Sequence, residues 1–208
     1  MRTRVKVCGL TEPQNAVEVA KTGADSIGLV FYPPSPRAVT VLQAQEICAE
    51  LPPFITVTAL FVDASAEQIK QILQRVPIDL LQFHGDEPAE FCRRFGKPYI
   101  KALRVRPGID LMQLAQTYYD ARGLLLDAYK AGVPGGTGET FDWQLIDRAL
   151  PLPVILAGGL TEANVAQAIA QVQPQSVDIS GGVESAKGIK DLDLVKRFIK
   201  EVARADRH

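Results

Sequence analysis

The sequence lacks several features that would assign a protein to a specialised class. None of its apolar runs approaches the length of a membrane span, so no transmembrane segment is predicted within the 208 residues. Its 23 lysines and arginines nearly balance its 24 aspartates and glutamates, so there is no general attraction for nucleic acid or for an anionic membrane. Any anionic ligand must therefore be held by a local site.

Cysteine is also scarce. The three cysteines, Cys8, Cys48 and Cys92, are odd in number and far apart, which argues against a disulfide framework or a zinc cluster. The first residues lead directly into a predicted strand, without the apolar segment of a signal peptide. These features predict a cytoplasmic protein. No ligand set for a metal or an organic cofactor is recognisable, so no cofactor is expected.

What the sequence does contain is a repeated alternation of strand and helix patterns. Eight short apolar segments rich in β-branched residues predict strands at 4–8, 26–31, 55–62, 79–83, 99–103, 123–128, 153–157 and 176–180. Segments with helical spacing follow them, at 12–21, 41–51, 66–75, 88–95, 111–119, 143–149, 163–171 and 192–203. Eight such units predict an α/β protein with one (β/α)8 barrel, a single catalytic domain over 1–208.

A doubly wound open sheet is the alternative architecture. Such a sheet seldom uses eight consecutive units, and its glycine-rich phosphate turn is expected after the first strand. Here that turn reads Cys8-Gly-Leu-Thr11, which is not a dinucleotide fingerprint. The barrel is therefore favoured.

Two glycine pairs follow the last two predicted strands. Gly158 and Gly159 end one strand, and Gly181 and Gly182 come directly after Ser180 at the end of the next. Without a β-carbon, glycine lets a backbone N–H group approach an anion closely, and two adjacent turns can surround one phosphate. A helix opening at residues 161–162 would direct its positive end to the same anion. The pairs predict a phosphate site after strands 7 and 8.

Chemistry in a barrel is expected where the strands end. Cys8 ends the first strand, where it is equally well interpreted as a reactive thiol or as a small buried residue. Asp127 ends an apolar strand, where an unsatisfied carboxylate is costly, so it is interpreted as catalytic, with a helix cap or an ion pair as the alternative. Cys48 and Cys92 lie on apolar helix faces and are predicted to be packing residues.

Other polar residues are expected around the same mouth. Arg37 follows three prolines that restrict the backbone, and its guanidinium suits a carboxylate. His84 is predicted to support the site by hydrogen bonding. Strand alternation places Lys6 beneath Cys8 and opposite Asp178, which predicts a structural ion pair.

The glycine-rich loop over residues 131–140 follows Asp127 closely. It is interpreted as a lid that closes over ligand, with Thr137 as a hydrogen-bond donor, or else as a slack connection.

Several segments together resemble the phosphoribosylanthranilate isomerase family. They occur in the family's order over the whole chain: Lys6-Val-Cys-Gly-Leu-Thr11, Gly28-Leu-Val-Phe-Tyr-Pro-Pro-Ser-Pro-Arg37, Leu81-Gln-Phe-His-Gly-Asp-Glu87, Leu124-Leu-Leu-Asp127, Gly135-Gly-Thr-Gly138 with Phe141-Asp-Trp143, Leu156-Ala-Gly-Gly-Leu160 and Asp178-Ile-Ser-Gly-Gly-Val-Glu184. The resemblance implies the Amadori rearrangement of N-(5-phosphoribosyl)anthranilate to 1-(2-carboxyphenylamino)-1-deoxyribulose 5-phosphate in tryptophan biosynthesis.

The resemblance also implies a role for each candidate. Asp127 is the expected general acid, Cys8 the general base, Arg37 the partner of the anthranilate carboxylate, and the glycine loops the phosphate anchor at the opposite end. The expected substrate-binding residues are Arg37, His84, Thr137, Gly158, Gly159, Ser180, Gly181 and Gly182. The expected partner is this phosphorylated small molecule, with neither nucleic acid nor membrane, and the chain is expected to be a monomer or a homodimer.

Two alternatives stay open at this point. Another phosphosugar barrel enzyme would share the phosphate site. Of these, the ProFAR isomerase is expected to carry aspartate in place of Cys8, and indoleglycerol-phosphate synthase a lysine-rich set that is absent here. A non-catalytic barrel that binds phosphosugars would need no acid and base on opposite sides of its mouth. Decay of substrate fluorescence on adding the protein separates an isomerase from a binding module.

Overall fold

Eight parallel strands form a closed barrel in a computed structural model that describes residues 2–128 and 141–207. Each strand pairs with its neighbours in chain order, and the eighth pairs with the first. The strands are β1 (Arg4–Cys8), β2 (Ser26–Val30), β3 (Thr56–Phe61), β4 (Leu80–Phe83), β5 (Tyr99–Val105), β6 (Leu124–Ala128), β7 (Val154–Leu156) and β8 (Ser176–Ile179). The predicted barrel is confirmed, and every predicted strand is present within two residues of its expected ends.

Helices surround this barrel. In the described part of the chain they are α1 (Pro13–Lys21), α2 (Val41–Glu50), α3 (Ala66–Arg75), α4 (Ala89–Cys92), α5 (Leu111–Thr117), α6 (Val165–Val172) and α7 (Leu192–Ala205). None of them is long and apolar enough to span a lipid bilayer. A short hairpin of β9 (Glu184–Ala186) and β10 (Ile189–Lys190) lies between β8 and α7.

Local capping explains where several helices begin. Thr40 and Ser65 each form a capping box with a glutamine three residues further on. The hydroxyl accepts from the backbone N–H of the glutamine, and the side-chain oxygen of the glutamine accepts from the backbone N–H of the capping residue. Asp191 caps α7 in a similar way, with its carboxylate accepting from two backbone N–H groups.

The predicted sixth helix is wrong. In place of a helix over 143–149 there is a single 3-10 turn, Trp143–Leu145. The side chain of Asp142 accepts from the N–H of Gln144, and that of Asp147 accepts from the N–H of Ala149. These local bonds compete with a helical ladder, and Pro151 prevents its extension.

Two further helices differ from prediction. The helix after β4 ends at Cys92 and continues as a 3-10 turn to Phe95. The helix after β7 begins at Val165 rather than at residues 161–163, because the side chain of Asn164 bonds the N–H of Thr161 and the carbonyl of Gly159, which holds residues 159–164 in a turn.

Apolar packing leaves one polar region inside the barrel. The main core fills the layer between strands and helices. Within the barrel, Ile100, Leu125 and Ile155 form a smaller apolar cluster. Lys6 of β1, Gln82 of β4 and Asp178 of β8 are instead polar side chains with little exposure to solvent. The barrel interior is therefore apolar around Ile100, Leu125 and Ile155 and polar beneath Cys8 and His84.

Candidate active site

A cavity of about 350 Å³ opens at the carboxyl ends of the strands. Its lining includes most of the side chains that the sequence singled out: Cys8, Arg37, His84, Asp127, Gly158 and Ser180, together with Asp178 and Lys187. Parallel strands end at one rim, which is why residues far apart in the chain meet there.

Cys8 lies at the end of β1, beside Gly28 of β2. A β-carbon on Gly28 would lie 2.6 Å from Sγ of Cys8 and 3.0 Å from its Cα, so glycine is required for the thiol to sit there. Burial raises the pKa of the Cys8 thiol, the ammonium groups of Lys6 and Lys190 oppose that rise, and Asp178 adds to it. The thiol is therefore shielded from solvent and lies near the ammonium groups of Lys6 and Lys190.

The predicted ion pair beneath Cys8 is present. Nζ of Lys6 lies 2.9 Å from each carboxylate oxygen of Asp178, and both side chains are buried. Burial lowers the pKa of Lys6, but Asp178 and Cys8 more than offset it, so the net shift is upward. A charged ammonium is thus held directly under the thiol.

Asp127 ends β6 on the other side of the mouth. Its Oδ1 accepts from the N–H of Ala128 at 2.8 Å, and its Oδ2 lies 3.3 Å from Nε2 of His84. Nδ1 of His84 lies 3.1 Å from Nε2 of Gln82, a fully buried side chain of β4. His84 therefore stands between a buried amide and the carboxylate, in agreement with a supporting role.

Gly158 makes room for that carboxylate. It has φ of 84°, and a β-carbon there would lie 2.7 Å from the backbone nitrogen of Ala128 and 2.8 Å from Oδ1 of Asp127. Gly182 permits another close approach, since its β-carbon would overlap the carbonyl oxygen of Leu160. The loops after β7 and β8 are thus in contact. Gly158 and Ser180 line the cavity, whereas Gly159, Gly181 and Gly182 are not among its lining residues.

Arg37 is buried and fixed by Glu184 of the β9–β10 hairpin. Nε of Arg37 lies 2.6 Å from Oε1 of Glu184, and Nη2 lies 2.7 Å from Oε2. A β-carbon on Gly181 would lie 3.3 Å from the same Nη2. Glu184 thus holds the guanidinium beside the loop after β8. That Arg37 and the glycine loops bind opposite ends of the ligand stays a prediction.

Sequence reasoning missed Glu184 and Lys190 as members of this site. Nζ of Lys190 lies 2.9 Å from Oε1 of Glu184, and its backbone is bonded in both directions to the side chain of Asn15. A signal was available, since Lys187 and Gly188 form a turn between two short segments, which places Glu184 and Lys190 on facing strands.

Thr137 and the proposed lid over residues 131–140 lie outside the described residues. Cys48 and Cys92 are not at the mouth. They pack against the main core, and burial raises the pKa of Cys48 to about 11 and that of Cys92 to about 12. Across residues 2–128 and 141–207, no cluster of three or more histidine, cysteine or acidic side chains could hold a metal ion.

The fold and the site together define a class: a (β/α)8-barrel enzyme whose mouth holds a thiol, a carboxylate and a fixed guanidinium beside two glycine-rich loops. The sequence model of the N-(5'-phosphoribosyl)anthranilate (PRA) isomerase family matches residues 5–201. The chain belongs to this family, and it is an isomerase of tryptophan biosynthesis.

Individual relatives agree with this assignment. The N-(5'-phosphoribosyl)anthranilate isomerase of Pseudomonas syringae pv. tomato is 61% identical over 199 residues, which cover 96% of this chain and 97% of that protein. A crystal structure of phosphoribosyl anthranilate isomerase in complex with reduced 1-(o-carboxyphenylamino)-1-deoxyribulose 5-phosphate has a TM-score of 0.86 at 38% identity, covering 97% and 99% of the two chains. A crystal structure described as monomers of the dimeric phosphoribosylanthranilate isomerase from Thermotoga maritima has a TM-score of 0.85 at 36% identity, covering 97% of this chain and 99% of that one.

Proposed function

We propose that Cys8 and Asp127 are the base and the acid of the rearrangement of N-(5-phosphoribosyl)anthranilate, and that residues 1–208 act as one catalytic domain. The observation that carries this proposal is that the thiol of β1 and the carboxylate of β6 line one cavity. Acid and base placed on two sides of a bound sugar are what an aldose–ketose rearrangement requires.

The first step belongs to Asp127. Its protonated carboxyl donates a proton to the ring oxygen while the C1–O bond breaks, and the lone pair of the anthranilate nitrogen forms the C1=N bond. The N–H of Ala128 donates to the carboxylate that remains, and Nε2 of His84 lies 3.3 Å from its other oxygen. The open-chain iminium is now acidic at C2.

The second step belongs to Cys8. Its thiolate takes the proton from C2, the C–H electron pair forms the C1=C2 bond, and the iminium electrons return to nitrogen. The resulting enolamine tautomerises to the ketose by gaining a proton at C1 and losing one from the C2 hydroxyl. A thiol whose pKa is raised by burial is a strong base once ionised, and the ammonium of Lys6 stabilises the thiolate.

Substrate anchoring follows from the remaining residues. We assign the anthranilate carboxylate to Arg37, and the phosphate to the loops that contain Gly158, Gly159 and Ser180–Gly182. The related isomerase whose crystal structure is 38% identical binds a ligand with a carboxyphenyl group at one end and a phosphate at the other. Thr137 stays a predicted hydrogen-bond donor. The proton transfers assigned to Asp127 and Cys8 use side chains of this protein, and we assign the enzyme no cofactor.

Replacing Arg37 by alanine tests this assignment. We expect binding of the reduced product analogue to weaken by about 10- to 100-fold, since a charge-assisted hydrogen bond is worth about 1.5–3 kcal/mol, whereas binding of ribose 5-phosphate stays nearly unchanged. Isothermal titration calorimetry measures both. Because the guanidinium also lies beside Gly181, the two ligands must be compared in the same variant.

Arg93→Ala is the matched control. Arg93 also pairs with a carboxylate, that of Asp120, but it lies away from the mouth, and both affinities should be retained. Equal losses for the two ligands in Arg37→Ala would place Arg37 at the phosphate end and contradict the assignment.

We propose further that the chain forms a homodimer through the amino-terminal ends of its strands. Phe54, just before β3, is fully exposed and has φ of 70°, which is unusual for an aromatic residue. A largely apolar cavity of about 860 Å³ lies at the same end, with Leu150, Leu152 and Ile169 in its lining. A two-fold pair could insert each Phe54 into the partner's cavity. The T. maritima relative is described as dimeric.

Phe54→Ser should convert such a dimer to a monomer, because a hydroxyl gains nothing from entering an apolar cavity. Sedimentation equilibrium measures the mass. Tyr119→Ser, which removes another exposed aromatic side chain, should leave the dimer intact. A wild-type protein that sediments as a monomer would contradict the proposal.

The three described thiols are all free, which supports a reducing compartment and a cytoplasmic location.

A further inference from the structure

Arg37 does not reach the mouth as an isolated cation. Its two nitrogens Nε and Nη2 are bound by both oxygens of Glu184, and the two side chains are 9% and 5% exposed. A guanidinium and a carboxylate paired in this way have no net charge. On its own, the pair would attract a ligand carboxylate weakly.

Lys190 changes this balance. Its side chain is completely buried behind Arg37, and its Nζ lies 2.9 Å from Oε1 of Glu184. The same nitrogen donates to Ser180, with 3.2 Å to the carbonyl oxygen and 3.4 Å to Oγ. Three acceptors around one nitrogen fit an ammonium, which has three donor hydrogens.

We propose that Lys190 is a specificity-determining residue: with Glu184 and Arg37 it forms a buried triad with a net charge of +1, which leaves the guanidinium charge available to the substrate's carboxylate. The inference rests on the proposed carboxylate-binding role of Arg37. Glu184 acts as a positioning residue that fixes the direction of the guanidinium, and Lys190 neutralises the charge that this positioning introduces.

The charges of the triad agree with this interpretation. Burial alone would raise the pKa of Glu184, but the hydrogen bonds from Arg37 and the attraction of Lys190 lower it to about 2, so the carboxylate is ionised at neutral pH. Burial lowers the pKa of Lys190, and the attraction of Glu184 offsets that shift only in part. The three acceptors within 3.4 Å of Nζ are what indicate an ammonium there. Lys187 adds a second ammonium 3.8 Å from Glu184, but its side chain is 65% exposed and screened by water.

The triad also explains the fixed geometry around it. Asn15 holds the backbone of Lys190 through two hydrogen bonds of 2.9 and 2.8 Å, which fix the hairpin against α1. The bond from Lys190 to Ser180 ties the hairpin to the loop after β8. A residue needed only to fill space would not require a buried ammonium, which is costly to desolvate.

Lys190→Met tests the inference by removing the charge and keeping the length. We expect the affinity for the reduced product analogue to fall on the order of tenfold, while the affinity for the same compound without its carboxyl group changes less than about threefold. KM should rise with kcat nearly unchanged. Lys101→Met is the matched control, because Lys101 is an equally buried lysine that pairs with Glu87 away from the cavity. In this variant the ratio of the affinities for the analogue with and without its carboxyl group should stay as in wild type.

A second-site change separates charge from structure. In Glu184→Gln/Lys190→Met the triad again carries +1, so the preference for the carboxylate-bearing ligand should return toward the wild-type value, which a purely structural role would not produce. If Lys190→Met does not fold, Lys190→Gln removes the charge but keeps a donor for Ser180, and the same loss of preference is expected.

Unchanged preference in the folded Lys190 variant would overturn the inference, as would a fall in kcat with constant KM, which would mean that Lys190 acts on Cys8 instead. Failure of the carboxylate assignment itself is seen separately, in Arg37→Ala.

Discussion

Cys8→Ala and Asp127→Asn should each lower kcat by about 10²- to 10⁴-fold, which is the usual contribution of a general base or acid. Each change removes a proton-transfer group but leaves the anchors for phosphate and carboxylate in place. The affinity for the reduced product analogue should therefore be nearly unchanged. Steady-state fluorescence assays and calorimetry on the same preparations measure the two quantities.

The other two cysteines are the controls for this experiment. Cys48→Ala and Cys92→Ala should leave kcat as it is and alter thermal stability at most, because both thiols pack against the core away from the cavity. Near-normal turnover in Cys8→Ala or Asp127→Asn would remove that residue from the mechanism, and loss of activity in a folded Cys48 or Cys92 variant would contradict their role in packing.

Gly28→Ala is expected to lower kcat about 10²-fold although it removes no functional group. The new methyl group would lie 2.6 Å from Sγ of Cys8, so either the thiol or the strand must move. A displacement of about 1 Å at a reacting group costs on the order of 10²-fold. Turnover should therefore fall far more than ligand affinity.

Gly23→Ala serves as its control. Gly23 has φ of 102° and no atom near its missing β-carbon, so alanine there should reduce stability without changing kcat. In the Cys8→Ala background, Gly28→Ala should destabilise the protein less than it does in wild type, since the clash with sulfur is gone. If Gly28→Ala destabilises the wild-type protein and the Cys8→Ala variant equally, glycine at position 28 is not required by the sulfur of Cys8.

The barrel was predictable because its signals are local and repeated. In the sequence, β-branched apolar segments alternate with amphipathic ones eight times. Because each such unit predicts a strand followed by a helix, an error in one unit does not change the predicted architecture. The prediction of the sixth helix was wrong because the side chains of Asp142 and Asp147 accept hydrogen bonds from nearby backbone N–H groups. Such bonds compete with helical hydrogen bonds, and the spacing of apolar residues does not reveal them. The hairpin of β9 and β10 is too short for a periodic signal.

The catalytic candidates were predictable for a related reason. A polar residue that ends an apolar strand of a barrel must point to the mouth, which places Cys8 and Asp127 together without knowledge of distances. Alternation along β1 and β8 likewise predicted the contact of Lys6 with Asp178.

The surroundings of Arg37 were not predictable. Its partner Glu184 lies 147 residues further along the chain, and nothing in the spacing of the two residues indicates that they meet. The direction of the guanidinium, and hence its closeness to Gly181, depends on that partner. Sequence reasoning placed Arg37 at the mouth, where it lines the cavity, but did not indicate that it lies beside the loop after β8.

Closure of the barrel by β1 and β8 has a consequence for the growing polypeptide. Lys6 and Asp178 are 172 positions apart, as are Cys8 and Ser180, whose hydroxyl donates to the carbonyl of Cys8. A ribosome-bound chain that has emerged as far as β6 already contains both proposed proton-transfer residues, but not the carboxylate beneath the thiol. The ion pair beneath Cys8 therefore forms late in synthesis, when the last strand joins the first, and an incomplete chain carries the Cys8 thiol without that ion pair.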